Sequence, residues 1–198
     1  MYIDTVVASC DKEVVEELSL KGYSLALCED QPDLGQGNNV KIIRRKTIRA
    51  STIGDVTKEI EKARGLFISV SPGSVQVARW SVNLTSVHSI HLSSENLELF
   101  DKKQLRMMKR RGKPLEVTLA TLLSSPLKTR AMIYRRLVLA VREGVLLIVG
   151  SGAEEPSEVI SPHIVPKILR NAYDVPERIG ELSISIYPRL VLSRVNML

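Results

Sequence analysis

The residues with the clearest chemical purpose are cations repeating at helical spacing. Lys102, Arg106, Lys109 and Arg110 fall on one face of a helix predicted over Asp101–Arg111, and Lys103, Arg111 and Lys113 add to it. Leu105 and Met108 supply its apolar side, and after Asp101 the segment holds no acid. A second helix, Pro126–Glu143, carries Lys128, Arg135 and Arg142 seven residues apart, with Arg136 beside them. Its core side reads as Leu127, Ala131, Tyr134, Leu137, Val138 and Val141. Arg130 falls on that apolar side, so it needs either a carboxylate partner such as Asp4 or a functional role. Solvated helix faces normally mix signs; faces of one sign suit phosphates. Aromatics make up 4% of the chain and do not alternate with the cations, which disfavours stacking on single strands and favours backbone and shape recognition of folded RNA.

Groups able to make or break bonds are sparse. His88, His91 and His163 are the only histidines. With two residues between them in a strand, His88 and His91 point to opposite faces, and Glu95 and Glu98 do not complete a ligand set, so no metal site is expected. The chain has no GxGxxG, Walker or GxSxG motif. Gly150-Ser151-Gly152-Ala153 follows a predicted strand, where small residues could admit a phosphate or simply make a tight turn. Cys10 and Cys28 each end a predicted strand and read as isolated, buried thiols.

Charge supports the anionic partner. The net charge of +6 lies entirely in the second half, where residues 101–198 hold 17 Lys and Arg against 9 Asp and Glu; residues 1–100 hold 11 against 13. The start, Met1-Tyr2-Ile3-Asp4-Thr5, has no basic leader, and no run of about 18 apolar residues occurs, so the expectation is a cytoplasmic chain with no membrane contact.

The elements that must position these faces alternate. Apolar strands are predicted at Met1–Ala8, Tyr23–Leu27, Val40–Arg45, Leu66–Val70, Val87–Leu92, Leu115–Ala120 and Val145–Gly150, with a short eighth at Ser183–Ile186. Helices are predicted at Asp11–Lys21, Asp55–Arg64, Gly73–Ser81, Asp101–Arg111, Pro126–Glu143, within Pro162–Ala172, and at Pro188–Val195. Gln31–Asn39 reads as a loop. Ser71-Pro72, Ser125-Pro126 and Ser161-Pro162 read as helix starts, although Pro166 argues for a later start in the third case. Such alternation implies right-handed βα units in an α/β, TIM-barrel-like (β/α) fold, one domain over 1–198. With 198 residues, some of its helices must be short or missing.

The C-terminal third resembles the archaeal ribonuclease P protein component 3 family, relatives of the eukaryotic thirty-kilodalton subunit. The resemblance rests on Ser151-Gly152-Ala153, on Pro162 with Ile164-Val165 and Ile168-Leu169, and on Ser183-Ile184-Ser185-Ile186-Tyr187-Pro188 running into Leu190-Val191-Leu192-Ser193-Arg194. Pro126, Arg130-Ala131 and Arg135 look like the family's helix, and Asp4 like its acidic position in the first strand. The family tends to carry a basic residue before the proline at 162; here that residue is Ser161. The resemblance implies a barrel related to the polymerase-and-histidinol-phosphatase enzymes, whose first strand carries a His-x-His pair; here it reads Tyr2-Ile3-Asp4-Thr5-Val6. It further implies an accessory subunit that helps a catalytic RNA remove the 5′ leader of precursor tRNA. This chain would bind no cofactor, magnesium would sit at the RNA, and the partners would be ribonuclease P RNA, precursor tRNA through the complex, and protein component 2. The alternative is a metal-dependent barrel phosphoesterase, which needs clustered His and carboxylates at the C-terminal ends of strands.

Overall fold

The computed structural model describes residues 1–29 and 39–198. In them seven parallel strands pair in chain order: β1 (Tyr2–Val7), β2 (Tyr23–Cys28), β3 (Lys41–Ala50), β4 (Phe67–Pro72), β5 (Ser89–His91), β6 (Leu115–Thr118) and β7 (Leu147–Gly150). The helices are α1 (Lys12–Leu20), α2 (Ile53–Lys62), α3 (Val75–Ser81), α4 (Lys102–Arg111), α5 (Leu119–Ser124), α6 (Leu127–Glu143), α7 (Val165–Tyr173), α8 (Glu177–Ser183) and α9 (Ile186–Arg194). The expected α/β, TIM-barrel-like architecture is present, and α3, α5 and α8 supply the expected short helices at 7, 6 and 7 residues.

An apolar layer between strands and helices holds the barrel together. It includes Ile48, Val70, Val117 and Val149 from the strands and Val56, Leu105, Met108, Ile133 and Leu137 from the helices. At the N-terminal ends of the strands, α9 packs Val191 and Leu192 against Ile3, Leu25, Leu27 and Phe67.

Above this apolar plug the interior is charged. Arg45 and Glu116 are buried, and the guanidinium meets the carboxylate with both Nη atoms, at 2.8 and 2.9 Å. Arg45 also donates from Nε to Glu29 (3.0 Å), from Nη2 to Thr47 (2.8 Å) and from Nη1 to the carbonyl of Thr5. Ser69 donates to Glu116 at 2.6 Å, and the ring of Phe67 lies 5.7 Å from the guanidinium carbon. Burial by itself would push the Glu116 carboxyl upward. The charge and hydrogen bonds of Arg45, with His91, outweigh it and hold the group well below the usual carboxylate range.

Closure depends on Asp4. Val7 bridges Ala153, just beyond the end of β7, and a Cβ on Gly150 would lie 2.3 Å from the Val6 nitrogen, so β1 and β7 approach without a side chain between them. The Asp4 carboxylate accepts the N–H of Ser151 (2.9 Å) and of Val6 (3.2 Å). Gly152 N–H reaches the Val6 carbonyl at 2.8 Å, and Ala8 N–H reaches the Ala153 carbonyl at 2.9 Å.

Several expectations are corrected. The eighth strand at Ser183–Ile186 does not form: these residues end α8 and begin α9, and a single backbone bond, from Ile3 N–H to the Ile184 carbonyl at 2.9 Å, joins them to β1. Its alternation of serine and isoleucine also suits the bend between two short helices. β3 runs to Ala50, because residues 41–44 pair with β2 and residues 45–50 with β4. Ser74, not Ser71, caps α3, and α7 starts at Val165 with Pro166 in its first turn. Cys10 and Cys28 are joined in a disulfide, since pairing of β1 with β2 brings their Cα atoms to 5.9 Å. The Gln31–Asn39 loop lies, apart from Asn39, outside the described residues.

Two predictions follow from the interior. Glu116→Gln leaves a buried guanidinium short of its counter-charge and should lower stability by about 3 kcal/mol, while Arg45→Met with Glu116→Leu should cost less than that single change. Thermal melts of the three proteins would show it, the single variant falling by on the order of 10 °C. Burial raises Asp4 to about 6, against the hydrogen bonds from Ser151 and Val6. A carboxyl raised on folding favours the native state fully below its unfolded value, and this contribution is lost as pH rises through the folded one. Asp4→Asn keeps an acceptor for Ser151 and does not titrate. The stability of the wild type relative to this variant should therefore fall by about 2 kcal/mol between pH 4 and pH 6.5, measured by denaturant titration.

Candidate nucleic-acid interface

The outer surface of α4 is set by its caps and its buried side. Asp101 caps the helix, accepting the Gln104 N–H at 2.7 Å, and Gly112 ends it in the left-handed conformation at φ 64°. Gln104, Leu105 and Met108 point inward, which turns Lys102, Lys103, Arg106, Lys109, Arg110 and Arg111 to solvent. Three of these cations occupy the last turn, where the helix dipole favours them. The only acid, Asp101, is held by Arg79 at 2.7 Å, so it offsets none of them.

α6 lies alongside. Its single acid, Glu143, accepts from Arg106 at 2.8 Å and lies 3.5 Å from Lys102. The hydrogen bond from Arg106 holds the Glu143 carboxyl below its ordinary value. Lys109 lies against Gly144, the residue that ends α6. The structure thus brings Lys102, Arg106 and Lys109 together with the last turn of α6, where Arg142 is exposed; Arg110 sits one turn beyond Arg106. Lys128 and Arg135 lie elsewhere. Lys128 stands about 21 Å from Arg142 along the helix. It shares a cavity of about 640 Å³ with Arg135, Arg136, Met132 and Glu98.

Arg130 is not on the core side and has no carboxylate partner among the described residues. It donates from Nε to the carbonyl of Ser125 (2.7 Å) and from Nη2 to that of Leu123, satisfying acceptors at the end of α5. The expected core side of α6 was rotated too far: Ile133, Leu137 and Ala140 are buried, whereas Leu127 and Tyr134 are 84% and 38% exposed. Its ten apolar residues fall on more than one side, which leaves the true stripe ambiguous to periodicity alone.

The structure brings Asp4 together with Ser151, Gly152 and Ala153. The N–H groups of all three small residues are engaged, the last with the Ser151 hydroxyl at 3.0 Å, so the segment is a barrel seam and offers no free amides to a phosphate. Pro162 and Pro188 are buried at the starts of α7 and α9, and Ser161 is half-buried.

At the C-terminal ends of the strands a cavity of about 600 Å³ is lined by Glu29, Glu95 and Glu154 with Lys46, Arg49 and His91. His91 Nδ1 is 3.6 Å from Glu116, and His88 accepts the Ile68 N–H at 2.8 Å. Burial and the charge of Lys113 lower His88 to about 4. Among the described residues no group of three or more His, Cys, Asp or Glu is placed to hold a metal ion. Sequence reading missed Arg45 and Glu116; the available signal was a single acid within the apolar run Leu115–Val117.

The chain matches no family model. It is 35% identical over 130 residues to the ribonuclease P protein component 3 of Aeropyrum pernix, covering 62% of this chain and 61% of that relative, so it spans less than two thirds of the relative's length. Among solved structures, a chain of archaeal ribonuclease P with mature tRNA superposes with a TM-score of 0.77 at 16% identity, over 99% of this chain and 92% of that one. An amidohydrolase gives 0.68 at 10% identity (98% and 74%), and a prolidase bound to N-methylphosphonate-L-proline 0.61 at 12% (99% and 74%). These structures share the barrel. The likeness to the Aeropyrum pernix protein is one of sequence over 130 residues, and the likenesses to the solved structures are ones of fold.

Proposed function

We propose that this chain is an accessory, RNA-binding subunit of ribonuclease P, acting in the cytoplasm in the removal of 5′ leaders from precursor tRNA. The observation that carries the reading is the surface of α4 and the adjoining end of α6, where exposed Lys and Arg outnumber the two acids, Asp101 and Glu143. The similarity to the Aeropyrum pernix component 3, and the likeness in fold to a chain of archaeal ribonuclease P with mature tRNA, support the same assignment.

The chemistry asked of the protein is electrostatic. A folded RNA brings phosphates close together at a repulsive cost, and fixed cations reduce that cost while releasing condensed counterions. Lys102, Arg106, Lys109, Arg110 and Arg142 are the phosphate-facing set; Lys128 and Arg135, towards the N-terminal half of α6, stand apart from it. Arg130 acts through the shape of the α5–α6 corner. Bond cleavage belongs to the RNA subunit and its magnesium ions, and a second protein, ribonuclease P protein component 2, pairs with this chain. No helix among the described residues is long and apolar enough to cross a membrane.

Binding to ribonuclease P RNA as a function of potassium chloride tests the proposal. Arg110→Ala and Arg142→Ala should each weaken binding several-fold and reduce the slope of log affinity against log salt by about 0.7–0.9, with RNA sequence preference unchanged. An unchanged affinity and slope in both variants would place the RNA elsewhere.

A further inference from the structure

The first half of α6 turns large apolar side chains into solvent. Leu127 is 84% exposed, and Tyr134 follows two turns later at 38%, with the exposed Ala131 between them. Positions 127, 131 and 134 lie on one face, and Leu123, 41% exposed, extends the strip onto the end of α5. A groove of about 540 Å³ runs beside it, walled by Leu122, Leu127, Arg130, Tyr134, Arg135 and Tyr173. Arg130 is fixed there by its bonds to the carbonyls of Ser125 and Leu123. Among the described residues no acid lines this groove, and the cavity on the other side of the strip sets Glu98 alone against Lys128, Arg135 and Arg136.

We propose that this strip is the docking surface for a protein partner, one presenting an apolar patch bordered by Asp and Glu. The inference rests on the reading that the chain pairs with a second protein subunit. The occupant's charge follows from complementarity: a helix face with exposed leucines and three or four flanking cations attracts carboxylates while its apolar ridge excludes water. RNA fits less well. A phosphate gains nothing from Leu127, and a single exposed tyrosine gives no run of stacking platforms. A rigid Arg and a Tyr beside leucines match the side chains that dominate protein interfaces. The division of labour is spatial, with RNA at α4 and the C-terminal end of α6, and protein at the N-terminal half of α6.

The experiment pairs the chain with ribonuclease P protein component 2 encoded in the same genome, measuring affinity by titration calorimetry. Three variants are compared with the wild type: Leu127→Glu with Tyr134→Glu, Arg135→Glu, and Lys109→Glu with Arg110→Glu. The first two should lose at least tenfold in affinity for the protein and the third should lose little, while for ribonuclease P RNA the first should bind as the wild type does. The substituted side chains are exposed, so melting temperatures should stay near that of the wild type. If a variant does not fold, hydrogen exchange on the wild-type pair decides, with protection expected over residues 123–135. Wild-type association that survives Leu127→Glu with Tyr134→Glu, or leaves residues 123–135 unprotected, overturns the location and leaves the pairing standing. No association of the wild-type proteins overturns the pairing, and the inference with it. Loss of RNA binding alone in the first variant assigns the strip to RNA and overturns the proposal.

Discussion

A guanidinium at the centre of a barrel must have its charge and its N–H groups answered on the spot, because water cannot reach it. Arg45 meets that constraint through Glu116, Glu29, Thr47 and the carbonyl of Thr5. These groups come from β1, β3, β6 and the end of β2, so one side chain ties together strands that are not neighbours in the sheet. A buried pair of this kind gives little net stability over a packed apolar core, but losing one partner is expensive. It therefore acts as a condition on the register of the barrel: a slipped strand would leave a buried charge unanswered.

In barrel enzymes the ends of the strands present unshared polar groups to a ligand. Here Glu29 and Glu116 are engaged with Arg45, and the small-residue segment after β7 is engaged with Asp4 and Val6, while Lys46, Arg49, His91, Glu95 and Glu154 line the cavity at the strand ends. The helical layer outside the strands carries the most uniformly basic surface, on α4 and the adjoining end of α6. A rigid barrel fixes those two helices side by side, so their cations form a patterned surface without any one of them needing a partner inside. Glu143, shared by Arg106 and Lys102, orients both side chains while leaving the surface positive.

Much of this was legible in the sequence for identifiable reasons. The strands β4 to β7 are apolar runs bounded by turn residues, and parallel strands buried on both faces produce that pattern. α4 was legible to its last residue because Asp101 and Gly112 mark its ends. The region around Ser183–Ile186 was not, since four residues that alternate carry no information on whether a strand neighbour is available; in the structure only Ile3 meets them through one backbone bond. The rotation of α6 was lost for another reason. Leu127 and Tyr134 are apolar yet exposed, and periodicity assigns every apolar residue to the core. The disulfide between Cys10 and Cys28 depended on β1–β2 register, which spacing does not give. Arg45 stands in the run Arg44-Arg45-Lys46, and only the pleat, which turns alternate residues inward, separates it from its neighbours.

The account's central claim is that this barrel serves a catalytic RNA as a cationic scaffold and performs no bond cleavage itself. Reconstitution tests it most directly: ribonuclease P RNA and its protein set are combined with and without this chain, at limiting magnesium, and cleavage of precursor tRNA is followed. The account predicts that adding the chain raises the rate and lowers the magnesium needed, that the gain shrinks when Lys109, Arg110 and Arg142 are neutralised together, and that the chain alone leaves precursor tRNA intact. Cleavage by the isolated chain, or a particle equally active without it, would contradict the account.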